Sequence, residues 1–129
     1  MNTFDKLVMF SMAVKDMVAA KDFYADKLGF KITSDYRQSD NHWWVSLDFP
    51  GGGMTITLTT AHENMKPGTM KLYLSTPDIQ ATHRQLTEKG VTLAGGIKDD
   101  LYGPGSGVKW FSFNDPDGNQ WITMQPKSW

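Results

Sequence analysis

WVSLDFPGGGMTITL, from Trp44 to Leu58, returns later in the chain as WFSFNDPDGNQWITM, from Trp110 to Met124. Set side by side without a gap, Trp44 falls on Trp110, Ser46 on Ser112, Pro50 on Pro116, Gly52 on Gly118 and Ile56 on Ile122. Upstream, VMFSMAVKDM (Val8 to Met17) matches MKLYLSTPDI (Met70 to Ile79), with Asp16 on Asp78. An internal repeat of this kind decides the fold before any local motif does, because each copy must be the same supersecondary unit.

Each copy reads as β-α-β-β-β. Leu7 to Val14 is an apolar run of strand length, and Asp16 can cap a helix whose apolar positions are Met17, Ala20, Tyr24 and Leu28. Gly29 supplies the left-handed stop. Phe30 to Tyr36 predicts a strand, and Trp43 to Phe49 with Met54 to Thr60 predict a hairpin around Pro50 and three glycines. The connection runs from 61 to 69, with Pro67 and Gly68 inside it. The order then repeats: a strand over Met70 to Thr76, a cap at Asp78, a helix over Ile79 to Lys89 and a stop at Gly90. A short strand over Val91 to Ala94 and the hairpin Lys109 to Asn114 and Gln120 to Gln125 complete it. The turn Asp115-Pro116-Asp117-Gly118 has proline and glycine where turn geometry wants them. The expected class is α+β, one domain over 1–129, with module one at 5–60 and module two at 70–126.

At 129 residues the chain can bury about two thirds of its unfolded surface. A net charge of −1 gives no footprint for nucleic acid or an anionic membrane. No apolar run approaches a membrane span, and the first residues, Met1 to Lys6, are polar rather than signal-like. With no cysteine, disulfides, thiolate metal sites and thiol nucleophiles are excluded. The expectation is a cytoplasmic protein.

Two segments, Phe23-Tyr24-x-x-x-Leu28-Gly29-Phe30 and Asp115-Pro116-Asp117-Gly118-Asn119, together with the repeat, resemble the vicinal oxygen chelate superfamily. This is the glyoxalase I, bleomycin-resistance and extradiol dioxygenase group. The resemblance spans nearly the whole chain. It implies two tandem βαβββ modules forming a curled mixed sheet around a cavity, usually in a homodimer. It also implies that metal-using members draw their ligands from the first and last strands of each module, at positions carried onto Met9, Ile56, Lys71 and Ile122.

Divalent catalytic metals want imidazole nitrogen or carboxylate oxygen. A thioether, two alkyl chains and an ammonium supply neither, and the lysine repels a cation. Shifting the register by one residue brings in Phe10, Thr55 or Thr57, Leu72 and Trp121 or Thr123, and again no ligand. The sequence therefore predicts no metal and no cofactor. Of the histidines, His83 reads as a helix-surface residue and His62 as part of the connection; His42, opening a strand beside Trp43, is the one placed to touch a ligand. Asp115-x-Asp117-x-Asn119 fails as a calcium loop, since Gln120 and Pro126 stand where glycine and glutamate are required. Gly103 to Gly107 reads as a flexible lip, with a lid over the pocket as the alternative.

By strand alternation, Met9, Ser11 and Ala13 share one face, as do Lys71, Tyr73 and Ser75; Val8, Phe10, Met12 and Val14 suit a covering helix. The expected ligand-binding set is Met9, Ser11, Trp43, Trp44, Ile56, Lys71, Tyr73, Ile122 and Met124. Such a wall suits a planar aromatic or amphipathic small molecule in a dimeric pocket. The tryptophans have a second reading, as hairpin core. The alternative function is an enzyme of the same superfamily: a metal-dependent lyase or dioxygenase, or a metal-free isomerase using Lys71 or Tyr73.

Overall fold

The computed structural model describes residues 3–126, so Met1 and Asn2 of the polar leader lie outside it. The fold is mixed α+β, with two sheets and few helices. The chain divides into two compact units between Pro67 and Gly68, inside the stretch expected to connect the modules.

The first unit holds β1 (Met9–Ala13), α1 (Met17–Lys21), β2 (Lys31–Ser39), β3 (His42–Asp48) and β4 (Thr55–Thr59). Its sheet has four strands in the order β1-β4-β3-β2, with β1 parallel to β4 and the other pairs antiparallel. Asp16 caps α1 by accepting from the Ala19 N–H at 3.1 Å. The helix does not run unbroken to Gly29. After α1 it widens into a π-helical stretch, Asp22–Lys27, in which the Leu28 N–H donates to the Phe23 carbonyl. The wider turn accompanies burial of two successive aromatics, Phe23 and Tyr24, which meet edge to face at 5.2 Å. The Tyr24 hydroxyl reaches the Met12 sulfur at 3.5 Å, and Phe30 stacks on Phe49 at 4.4 Å, tying the helix end to the sheet. Gly29 has φ +78°, as its stop position requires.

The helix side of this sheet is the core. Met12, Val14, Val45, Leu47, Ile56 and Leu58 are all buried, each contributing about 1.5–3 kcal/mol by removal from water. Val8, expected on this covered face, is instead 56% exposed, because it precedes the paired span of β1.

The second unit holds β5 (Lys71–Ser75), α2 (Ile79–Glu88), β6 (Lys109–Asn114) and β7 (Gln120–Gln125), in a three-stranded sheet of order β5-β7-β6. Asp78 caps α2 through the Ala81 N–H at 3.1 Å, and Gly90 has φ +85°. The helix packs on Phe111 and its neighbours, with the His83 ring edge-on to Phe111 at 5.0 Å.

The expected strand over Val91 to Ala94 does not form. Only isolated bridges, Leu93 to Phe113 and Lys98 to Trp110, run beside β6. Gly95, at φ +85°, interrupts extended pairing between the two bridges, so the segment touches β6 in separate places.

Candidate functional site

Strand register fixes which side chains share a face. In the first sheet Met9 pairs with Thr55, Phe10 with Ile56 and Ser11 with Thr57. Across the hairpin Trp44 pairs with Thr59, Ser46 with Thr57 and Asp48 with Thr55. The face turned away from the helix, called the far face below, therefore carries Met9, Ser11, Trp44, Ser46, Asp48, Thr55 and Thr57.

Ile56 is not among them. It lies wholly buried on the helix side, which corrects the expectation that it shares a face with Met9. The cause is a turn of unequal length. Positions 49–54, six residues, separate β3 from β4, whereas 115–119, five residues, separate β6 from β7. The ungapped repeat thus slips by one past the turn, and the structural counterpart of Ile122 is Thr57, while Ile56 matches Trp121. The shorter turn is drawn in by Asp115, whose carboxylate accepts from the Asp117 and Asn119 N–H groups at 3.0 and 2.8 Å. Its other oxygen takes the Asn119 amide at 2.7 Å, and the Asn119 Oδ1 accepts from the Met70 N–H at 2.9 Å, fixing the turn to the start of β5. This buried network is a structural knot made by the same residues that resembled a calcium loop.

Trp43 and Trp44 point to opposite faces, as neighbours on a strand must. Trp43 is buried on the helix side, its indole N–H donating to Asp35 at 2.7 Å, with Arg37 stacked at 4.3 Å from its ring. Lys21 pairs with the same Asp35. The hydrogen bonds from Lys21 and then Trp43 hold the Asp35 carboxyl below its ordinary range. Of the two readings of the tryptophans, Trp43 takes the hairpin-core one. Trp44 lies on the far face against Tyr36 at 5.9 Å, and Tyr36 is 58% exposed.

The far face of the first sheet is laced by hydroxyls. The Ser46 and Thr57 hydroxyls meet at 2.9 Å, Thr57 lies 3.1 Å from the Met9 sulfur, and the Thr55 hydroxyl donates to Asp48 at 2.7 Å. At the end of the sheet, Lys6, Val8, Asp48, Gly53, Met54 and Thr55 line a depression of about 270 Å³.

In the second sheet the register pairs Lys71 with Gln120, Tyr73 with Ile122 and Ser75 with Met124. Lys71, Tyr73, Ile122 and Met124 thus share one face, as the sequence leads one to expect. Lys71 and Tyr73 are exposed, whereas Ile122 and Met124 are buried. Part of that cover is Tyr102, whose hydroxyl lies 3.4 Å from the Met124 sulfur. Tyr102 sits in the glycine-rich loop, which is braced by Lys109 to Asp99 at 2.7 Å and by the Gly107 N–H to Asp100 at 2.9 Å.

With the register corrected, the positions that the resemblance implies for an ion become Met9, Thr57, Lys71 and Ile122. Thioether, hydroxyl, amine and alkyl are not a donor set for a divalent catalytic ion, so these residues do not fit one. Among the described residues no three His, Asp or Glu side chains come together as a cage. His42 and Asp48, on the same face of β3, stand six residues apart, about 20 Å, too far to share an ion. His62 bonds the Val14 carbonyl at 2.8 Å, and His83 lies 3.3 Å from the Gly95 carbonyl oxygen.

The sequence reading left Ser46, Asp48, Thr55 and Thr57 of the far face, and the loop residue Tyr102, out of its site. The strict Thr-Ile-Thr-Leu-Thr alternation of 55–59 carried the signal for the threonines, since only one parity can face a core. Nothing in the sequence pointed to Tyr102.

Known proteins agree with this architecture. Among solved structures, the chain is similar to TnmS3, an antibiotic binding protein from Streptomyces sp. CB03234. That match has 30% identity, a TM-score of 0.79, and coverage of 98% of this chain and 100% of that one. It is also similar to a member of the glyoxalase/bleomycin resistance protein/dioxygenase superfamily from Sphaerobacter thermophilus DSM 20745, at 26% identity and TM-score 0.78 over 96% and 99% of the two chains. An uncharacterized protein of Shewanella frigidimarina (strain NCIMB 400) is 26% identical over 92% of each chain. The family profile matches residues 6–123, and the chain belongs to the Glyoxalase/Bleomycin resistance protein/Dioxygenase superfamily.

Proposed function

We propose that this protein binds a small aromatic or amphipathic molecule, without a metal, in a pocket that a second copy of the chain helps to form. The observation that carries the reading is the chemistry of the far faces. Where metal-using relatives would hold an ion, this chain offers Met9, Thr57, Lys71 and Ile122, beside an aromatic pair of exposed Tyr36 and half-buried Trp44. Sulfur, hydroxyls and stacked rings suit a planar ligand with a hydrogen-bonding edge. The similarity to an antibiotic binding protein supports the same class of ligand. The binding set proposed is Met9, Ser11, Trp44 and Thr57 on the first sheet, with Lys71, Tyr73, Ile122 and Met124 on the second. No helix among the described residues is long and apolar enough to cross a membrane.

A thermal-shift screen against glycopeptide antibiotics and planar aromatic metabolites tests this. A ligand at about one hundred times its Kd adds about 2.7 kcal/mol of stability, a shift of several degrees. At least one compound class is expected to give such a shift, and Trp44→Ala to reduce it. A flat screen, or shifts untouched by Trp44→Ala, contradicts the reading.

A further inference from the structure

The far face of the first sheet is polarised from end to end. Trp44 and Tyr36 form an aromatic platform at one end of β3. Asp48 stands four residues further on, about 13 Å along the strand. Between them lies the Ser46–Thr57 hydroxyl pair. Asp48 belongs at once to this face and to the depression at the end of the sheet.

That depression holds charges of both signs, unspent. Asp48 accepts one hydrogen bond, from Thr55, which orients it and leaves its second oxygen without a protein donor among the described residues. Lys6 lines the same depression, yet it forms no ion pair with Asp48 among the described residues. Lys6 and Asp48 face one space without neutralising each other. Val8 and Met54 give that space an apolar floor, and Gly53 adds no side chain to fill it. A purely cationic group entering it would meet the Lys6 ammonium, and a purely anionic one the Asp48 carboxylate. A head carrying both charges answers both.

We infer that this face takes an elongated molecule with a planar aromatic group at one end and a zwitterionic, amino-acid-like head at the other, separated by about 13 Å. The inference rests on the binding reading above and adds length, orientation and charge to it. The aromatic end stacks on Trp44, the linker crosses the hydroxyls, the ammonium meets Asp48 and the carboxylate meets Lys6.

Fluorescence titration of the full chain with three dansyl probes tests it. Nε-dansyl-lysine carries both head charges, dansylcadaverine only the amine, and N-dansyl-6-aminohexanoate only the carboxylate. The zwitterion is expected to bind about tenfold tighter than either. Asp48→Asn, which keeps an acceptor for Thr55, is expected to weaken the lysine and cadaverine probes about tenfold and spare the aminohexanoate. Lys6→Met, outside any strand, should weaken the lysine and aminohexanoate probes and spare the cadaverine. Equal binding of all three probes, or loss of this charge selectivity pattern in the two variants, overturns the inference while leaving aromatic binding intact. Failure of every probe to bind overturns both the inference and the reading beneath it.

Discussion

The two units present nearly the same helix-packed face and very different edges and far faces. In the first, β2 (Lys31–Ser39) is a full edge strand, bent at two register shifts, near Ile32 and Arg37. In the second, the corresponding stretch forms two isolated bridges to β6, at Leu93 and Lys98, in place of a strand. The helix sides agree: Phe10, Met12, Ile56 and Leu58 in one copy correspond to Leu72, Leu74, Trp121 and Thr123 in the other. The far faces do not: Met9, Ser11, Thr55 and Thr57 stand against Lys71, Tyr73, Gln120 and Ile122. Packing against a helix tolerates few residue types, whereas a face that meets solvent or ligand is free to change. A duplicated scaffold thus supplies two walls of different chemistry from one plan.

The sharpest way to break the symmetry is at Gly68. A Cβ there would stand 2.1 Å from the Asp117 carbonyl oxygen, and φ is +79°. Gly68→Ala should cost at least about 3 kcal/mol, by urea denaturation, because backbone must move. Gly90→Ala, at φ +85° with open space around it, should cost only about 1 kcal/mol.

The corrected register is tested next. Ile56→Ala should cost about 2–4 kcal/mol, as a large-to-small change in a sealed core. Thr57→Val, one residue away, should cost less than about 1 kcal/mol while altering probe affinity. If Thr57 proves the costlier position, the one-residue slip is wrong.

A smaller effect runs the other way. Thr123 occupies the place that Leu58 holds in the first unit, and its hydroxyl is buried without a hydrogen-bond partner among the described residues. Thr123→Val should stabilise by about 1 kcal/mol, read as a rise in the unfolding midpoint. Such an increase would make the two helix faces more alike.

The smallest expected effect is electrostatic. The Asp35 carboxyl has its pKa lowered by Lys21 and Trp43, so its contribution is present above the ordinary aspartate range and fades as pH falls through the lowered value. The pair is partly exposed, so the contribution is below about 1 kcal/mol. Lys21→Met should flatten the acid limb of the stability profile as pH falls below the ordinary aspartate range. An unchanged limb would remove Asp35 as its source.

The fold was legible because the repeat and the caps are local. Asp16, Asp78, Gly29 and Gly90 each act where the sequence places them, and strand alternation separates the faces correctly within β1 and β5. The site was less legible because it depends on register, which a single turn residue shifts. Trp44 and Trp110 anchor the alignment before the turn; beyond it, Ile56 lands on the wrong partner. The π-helical stretch and the broken edge beside β6 were hidden for a different reason. Both arise from tertiary packing, of Phe23 with Tyr24 and of the segment around Gly95, and neither has a short sequence signature.

The central claim is that the far faces bind an aromatic ligand with no ion to hold it. Titration of Nε-dansyl-lysine before and after exhaustive dialysis against EDTA measures this directly. The account predicts the same affinity in both. Binding that disappears on dialysis and returns with one equivalent of a divalent cation would contradict it.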